Sequence, residues 1–289
     1  MGAVGALTLS GCGGGDDDAA PAGPQLLLRP GFAAGDRFPA ATVAGIPQRL
    51  PFVVSDLSSG QVAPFTEGAP TTIDIEIAGP DGAVLTTVTA PLRSEGIITP
   101  YYPVEIVAGA TGRHEARTTV DGLPLIAGFD VVDAADVGLV QVGEAIRPVE
   151  TPTFADPAGV DPICTRAEPC PFHEVTLTDA IAAAGPTALL VATPGFCLTD
   201  ICGPVVDLLM DVSADFAAFT FVHGEVYTDP QRLFDDGVET EDLLTQVMRI
   251  YDLRFEPSLV VADATGTVTA RLDFTFDRSD LAAALATAL

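Results

Sequence analysis

Five cysteines are the residues of this chain best suited to chemistry, and spacing sorts them into a lone Cys12 and two close pairs, Cys164/Cys170 and Cys197/Cys202. The second pair sits in Thr193-Pro194-Gly195-Phe196-Cys197-Leu198-Thr199-Asp200-Ile201-Cys202-Gly203-Pro204-Val205. Proline costs about 3 kcal/mol inside a helix but fits its first position, so a helix is expected from about Pro204 to Phe216. Cys202 then stands at the helix start, where unpaired amides and the dipole favour a thiolate, and Cys197 stays on the preceding loop. Cysteines five apart on one regular helix would be roughly 8–9 Å apart, whereas a disulfide needs Cα atoms within about 7 Å. The pair can close only with Cys197 off the helix. It then either exchanges with other thiols or serves as an inert cross-link.

The first pair lies in Cys164-Thr165-Arg166-Ala167-Glu168-Pro169-Cys170-Pro171-Phe172-His173. We read Cys164/Cys170 as a structural disulfide, which in so short a loop contributes on the order of 2–3 kcal/mol. The alternative is a metal site from Cys164, Cys170 and His173, but a fourth ligand is missing and oxidation competes. On the disulfide reading no metal and no cofactor are assigned.

Charge narrows the partners. Forty acidic residues stand against 13 basic ones, all arginine, for a formal net charge of −27. Nucleic acid and anionic lipid surfaces demand cations that this chain lacks, so neither is expected as an electrostatic partner. Such a charge also favours a soluble monomer. At 289 residues with 48% hydrophobic content, the chain can fill two cores.

The two halves differ in pattern. Between about Arg49 and Asp133, period-two alternation in Thr71–Ile77, Val84–Val88, His114–Val120 and Leu123–Val132 reads as short strands, with turns at Gly79-Pro80-Asp81-Gly82 and Asp121-Gly122. His114 is expected as an exposed strand residue. From Val175 onward the order is a helix (Thr178–Ala184), a buried strand (Thr187–Ala192), the cysteine loop and its helix, and a strand (Phe216–His223). A helix (Glu239–Tyr251), a hairpin (Leu259–Ala262 with Val268–Phe274) and a closing helix (Ser279–Leu289, capped by Ser279) follow.

These patterns carry several resemblances. Met1 to Cys12, ending Leu9-Ser10-Gly11-Cys12, resembles the lipobox of bacterial lipoproteins, which implies cleavage before Cys12 and lipid attachment to its thiol. The strand-rich segment resembles bacterial immunoglobulin-like modules. The order from Val137 to Leu289 resembles the thioredoxin fold, and Val142-Gly143-Glu144-Ala145 resembles the opening of thioredoxin-like antioxidant and reductase domains. Cys202-Gly203-Pro204 matches the start of the thioredoxin Cys-Gly-Pro-Cys, with Val205 where the second cysteine belongs; in that register Cys202 attacks and Cys197 resolves. Thr-Pro-Gly before Cys-x4-Cys instead resembles atypical peroxiredoxins, in which Cys197 would react with peroxide and Cys202 resolve. That register wants an arginine by the thiol, for which Arg254 is the nearest candidate.

Phe255-Glu256-Pro257-Ser258-Leu259 resembles the cis-proline loop of thioredoxins, which implies that Pro257 lies against the active cysteines. No equivalent of that family's buried acid stands out, and Asp200 and Asp207 would oppose thiolate formation.

The expected architecture is therefore an α/β thioredoxin-like C-terminal domain preceded by an all-β immunoglobulin-like sandwich. Its boundaries are a lipoprotein signal segment (1–12), a flexible acidic linker (13–38), the sandwich (39–135) and the thioredoxin-like domain (136–289). The expected function is thiol–disulfide exchange on thiol- or disulfide-bearing envelope proteins, carried by Cys197, Cys202 and Pro257, outside the cytoplasm and anchored to the membrane through Cys12. A thiol peroxidase and a non-catalytic binding lipoprotein are the rival readings.

Overall fold

Alternation of side chains decides the first half of the chain. In the computed structural model, which describes residues 25–196, 201–237 and 240–289, nine strands precede the second half. They are β1 (Leu26–Pro30), β2 (Thr42–Val43), β3 (Pro47–Asp56), β4 (Ala63–Pro64), β5 (Thr72–Ala78), β6 (Val84–Pro91), β7 (Tyr102–Val107), β8 (Gly112–Val120) and β9 (Leu123–Val132). One sheet has β3 at its centre, with β1 on one edge and β7 and β4 on the other. The second runs β2-β9-β8-β5-β6. Ile73, Ile75 and Ile77 of β5 and Leu125, Ala127 and Phe129 of β9 face Leu50, Phe52 and Val54 of β3 in one core. Alternate residues point to opposite faces of a strand, so each strand contributes every second side chain.

Two expectations need correction here. His114 is fully buried, because it shares the inward face of β8 with Ala116 and Val120. Its ring stacks on Phe129 at 5.5 Å and its Nδ1 lies 3.0 Å from the Gly112 carbonyl oxygen. Residues 25–38, expected within a flexible linker, are structured. β1 pairs with β3 from Leu26↔Asp56 to Pro30↔Phe52, and Phe32 packs edge-on against Phe52 at 5.4 Å. Three consecutive leucines and two phenylalanines give this stretch apolar surface that a solvated linker would leave in water.

The second half comprises α1 (Leu177–Ala182), β10 (Thr187–Val191), α2 (Cys202–Ser213), β11 (Thr220–Gly224), α3 (Pro230–Asp236), α4 (Gln246–Tyr251), β12 (Ser258–Ala262), β13 (Val268–Asp273) and α5 (Arg278–Ala286). Sheet order is β11-β10-β12-β13, with β10 and β11 parallel and the other pairs antiparallel. β10 is buried on both faces: Leu189 and Val191 face α1 and α4, while Ala188 and Leu190 face α2 and α5. Helices thus cover both sides of a mixed central sheet, an arrangement that resembles the thioredoxin fold.

Local chemistry shifts some boundaries. The helix expected from Glu239 to Tyr251 is broken: Asp229 caps α3 with Pro230 in its first turn, Gly237 ends it at φ 65°, and a 3-10 turn at Glu241–Leu243 precedes α4. Asp277, not Ser279, caps α5, accepting a bond from the Asp280 amide at 3.0 Å.

A buried polar knot joins α5 to the β-rich half. The Arg49 Nε donates to Asp280 Oδ2 at 2.7 Å and its Nη2 to the Thr275 carbonyl at 3.0 Å. Tyr101 donates its hydroxyl to Asp280 at 2.6 Å and accepts from the Asp277 amide at 2.8 Å. The side chains of Arg49 and Asp280 are only 10% and 11% exposed. Removing one member of such a pair strands the other charge without water. Asp280→Ala is therefore expected to lower unfolding stability by about 3 kcal/mol in urea titration. Arg254→Ala, on the exposed Asp252 pair, should leave the midpoint unchanged.

Candidate functional site: two thiol clusters at the end of a central strand

The first cluster is built around Cys202. It is the first residue of α2, with Ile201 as the N-cap, so the expected placement at a helix start holds within two residues. Cys197–Asp200 lie outside the described residues, and with them the geometry expected of the Cys197/Cys202 pair. The Glu256–Pro257 peptide is cis. Glu256 Oε2 lies 3.4 Å from Cys202 Sγ and accepts a hydrogen bond from the Thr193 amide. A carboxylate beside the thiol was not singled out in the sequence, although it stands next to the proline that was.

Cys202 is fully buried. Arg254, the candidate for the peroxiredoxin register, is exposed and paired with Asp252 at 2.8 Å. Asp207 is paired with Arg166 at 2.6 Å.

The second cluster gathers Cys164, Cys170, His173 and His223, all buried, with their donor atoms within 4.8 Å of one another. Cys164 and Cys170 are free thiols 4.0 Å apart, so the cross-link expected between them is not formed in this structure. His223 Nδ1 lies 3.3 Å from Cys170 Sγ, 4.0 Å from Cys164 Sγ and 3.1 Å from His173 Nε2. Its other nitrogen, Nε2, lies 3.0 Å from the Ala192 carbonyl and must carry the proton that this acceptor binds.

The bond with Cys170, then the imidazoles, hold the Cys164 thiol far below its ordinary range, while the same bond and burial push Cys170 up. Burial opposes protonation of His223, but the bond to Cys164 and the charge of Glu225 outweigh it and raise its pKa. Burial lowers that of His173. Glu225, two residues after His223 on the chain, is pushed up to about 7, chiefly by burial.

Elements from three parts of the chain position the two clusters. Thr165, next to Cys164, donates its amide and hydroxyl to Glu225 at 2.6 and 3.0 Å and accepts from the Gly195 amide at 2.9 Å. Thr193 Oγ1 accepts from the Val226 amide at 3.1 Å. The loop that leads to Cys197 is thus fastened both to the Cys164 segment and to the end of β11.

No protein-family model and no curated protein matches the chain. Among solved structures, DsbF of MTB (structure in mixed oxidized and reduced forms) is similar at 16% identity over 40% of this chain and 89% of that one, with a TM-score of 0.31. A thiol:disulfide interchange protein of the thioredoxin family from Chlorobium tepidum is similar at 16% identity over 50% of this chain and 99% of that one, TM-score 0.30. Salmonella alpha-2-macroglobulin is similar at 19% identity over 47% of this chain and 8% of that one, TM-score 0.27. These are distant likenesses, and the description of the fold rests on the strand order of the chain itself.

Gly195 approaches Thr165 so closely that an added Cβ would press into the Thr165 carbonyl oxygen, a backbone atom that cannot turn aside. Gly195→Ala should therefore detach the cysteine loop from the Cys164 segment. We expect a loss of about 1–3 kcal/mol in urea titration and faster tryptic cleavage after Arg166. An unchanged midpoint and digestion pattern would show that this approach constrains nothing.

Proposed function

We propose that the chain is a thiol–disulfide oxidoreductase in which Cys197 and Cys202 form the exchanging pair. The observation that carries the reading is the placement of Cys202 at the start of α2 against the cis Glu256–Pro257 loop, with a carboxylate oxygen 3.4 Å from its sulfur. Burial of Cys202 supports a resolving role for it, with the attack left to Cys197. The Cys197 thiolate opens the disulfide of an envelope protein, forming a mixed disulfide and releasing one substrate thiolate. Glu256 takes the proton of the Cys202 thiol, and the resulting thiolate attacks the Cys197 sulfur. The second substrate thiolate leaves and is protonated, and the chain is left with a Cys197–Cys202 disulfide that a dithiol reductant can reopen. Run backwards, the same steps oxidise a substrate dithiol.

Cys202→Ser should trap the mixed disulfide on Cys197, visible by intact mass after incubation with oxidised glutathione. Glu256→Gln should slow resolution by about 10²-fold while the first attack keeps its rate. Thiols that react with glutathione only after the chain unfolds would mark the pair as a cross-link and overturn the reading. Consumption of hydrogen peroxide at Cys197, with no exchange, would favour the peroxidase.

We further propose that the β-rich half is an immunoglobulin-like module carrying the redox domain outside the cytoplasm, on a lipid attached at Cys12. The support is the sequence Leu9-Ser10-Gly11-Cys12 and the acidic stretch that follows it. In cells making the full chain, a labelled fatty acid should be incorporated into the wild type and not into Cys12→Ser. Equal labelling of both would contradict the anchor.

A further inference from the structure

We propose that Cys164, Cys170, His173 and His223 bind one zinc ion, independently of the exchange chemistry assigned to Cys197 and Cys202. Geometry argues first. A tetrahedral zinc with bonds of about 2.3 Å to sulfur and about 2.0–2.1 Å to nitrogen sets its ligand atoms roughly 3.3–3.8 Å apart. Contacts of 4.0 Å between the sulfurs, 3.3 and 4.0 Å from them to His223, and 3.1 Å between the two imidazoles approach that figure.

The proton inventory points the same way. His223 Nε2 is committed to the Ala192 carbonyl, so in the neutral ring its Nδ1 presents a lone pair to the cluster, as a metal ligand held by an outer hydrogen bond does. The Cys170 amide donates to Cys164 Sγ at 3.4 Å, a contact that stabilises a thiolate. His173 turns its Nε2 toward His223 Nδ1, 3.1 Å away.

Charge selects the ion. Two thiolates and a divalent cation sum to zero, which suits four fully buried ligands; a monovalent copper would leave a net negative charge beside the buried Glu225. The ligands come from the loop before α1 and from β11, so the ion would pin that loop to the sheet. Through the Ala192 and Thr165 contacts it would also brace the start of the cysteine loop.

The test uses the full chain carrying Cys12→Ser, Cys197→Ser and Cys202→Ser, so that only the second cluster can supply thiolates and failure here says nothing against exchange. Reduced protein is titrated with cobalt(II), then zinc(II). The expected result is one cobalt per chain, with tetrahedral d–d bands and a thiolate-to-cobalt charge-transfer band that an equivalent of zinc abolishes. Adding Cys164→Ser or Cys170→Ser should weaken the charge-transfer band and the two together should abolish it, while His223→Ala should lower cobalt affinity, with circular dichroism confirming that each chain folds. A cobalt complex lacking that band, zinc that fails to displace it, or a Cys164–Cys170 disulfide that forms equally with and without zinc would each overturn the proposal.

Discussion

Ala192 and Thr193, the residues by which the chain leaves the central strand β10, are bonded to both thiol clusters. The Ala192 carbonyl binds His223, the Thr193 amide binds Glu256, and the Thr193 hydroxyl receives the Val226 amide. Because β10 is buried on both faces and paired on both edges, these two residues have little freedom to move. Everything that approaches the end of this strand is positioned against a fixed reference. A buried polar group that loses its partner pays the whole cost of its desolvation, so these bonds stabilise the geometry more strongly than their number suggests.

The two clusters make opposite demands on their thiols. Cys202 stands beside a half-buried carboxylate that can receive its proton, at a helix end that favours a thiolate once formed. Cys164 and Cys170 lie in a sealed core with two imidazoles, where thiolates need a compensating positive charge. The polar knot at Arg49, Tyr101 and Asp280 holds the N-terminus of α5 against the β-rich half, so that half braces the sheet and is more than a spacer. Phe38 extends the bracing to the cis-proline loop through Phe255 and Phe274, at 6.4 and 5.3 Å between ring centroids.

Much of this was legible in the sequence because it is local. Period-two alternation located the strands of the first half, the apolar run 187–192 located β10, and Pro204 put the α2 start within two residues of Cys202. The two corrections in the β-rich half share one cause. Burial of His114 follows from its register with Ala116 and Val120, and the order in residues 25–38 follows from pairing of β1 with β3, Leu26 with Asp56 to Pro30 with Phe52; neither is visible along the chain. The Cys164 cluster was harder still. Its cysteines and His173 are close in sequence, but His223 reaches them only because β11 lies parallel to β10 in the sheet. Glu256 was hidden differently, since nothing in the sequence reveals that the loop turns its carboxylate toward a thiol more than fifty residues away.

The central claim is a division of labour, in which one thiol pair exchanges and the other is held reduced by an ion. The most direct measurement is the oxidation state of the four cysteines of the second half, Cys164, Cys170, Cys197 and Cys202, read peptide by peptide across a glutathione redox series in the presence of zinc. The account predicts a single reversible two-electron transition confined to Cys197 and Cys202, with Cys164 and Cys170 remaining thiolates throughout. Oxidation of Cys164 to Cys170 while Cys197 and Cys202 stay inert would contradict it.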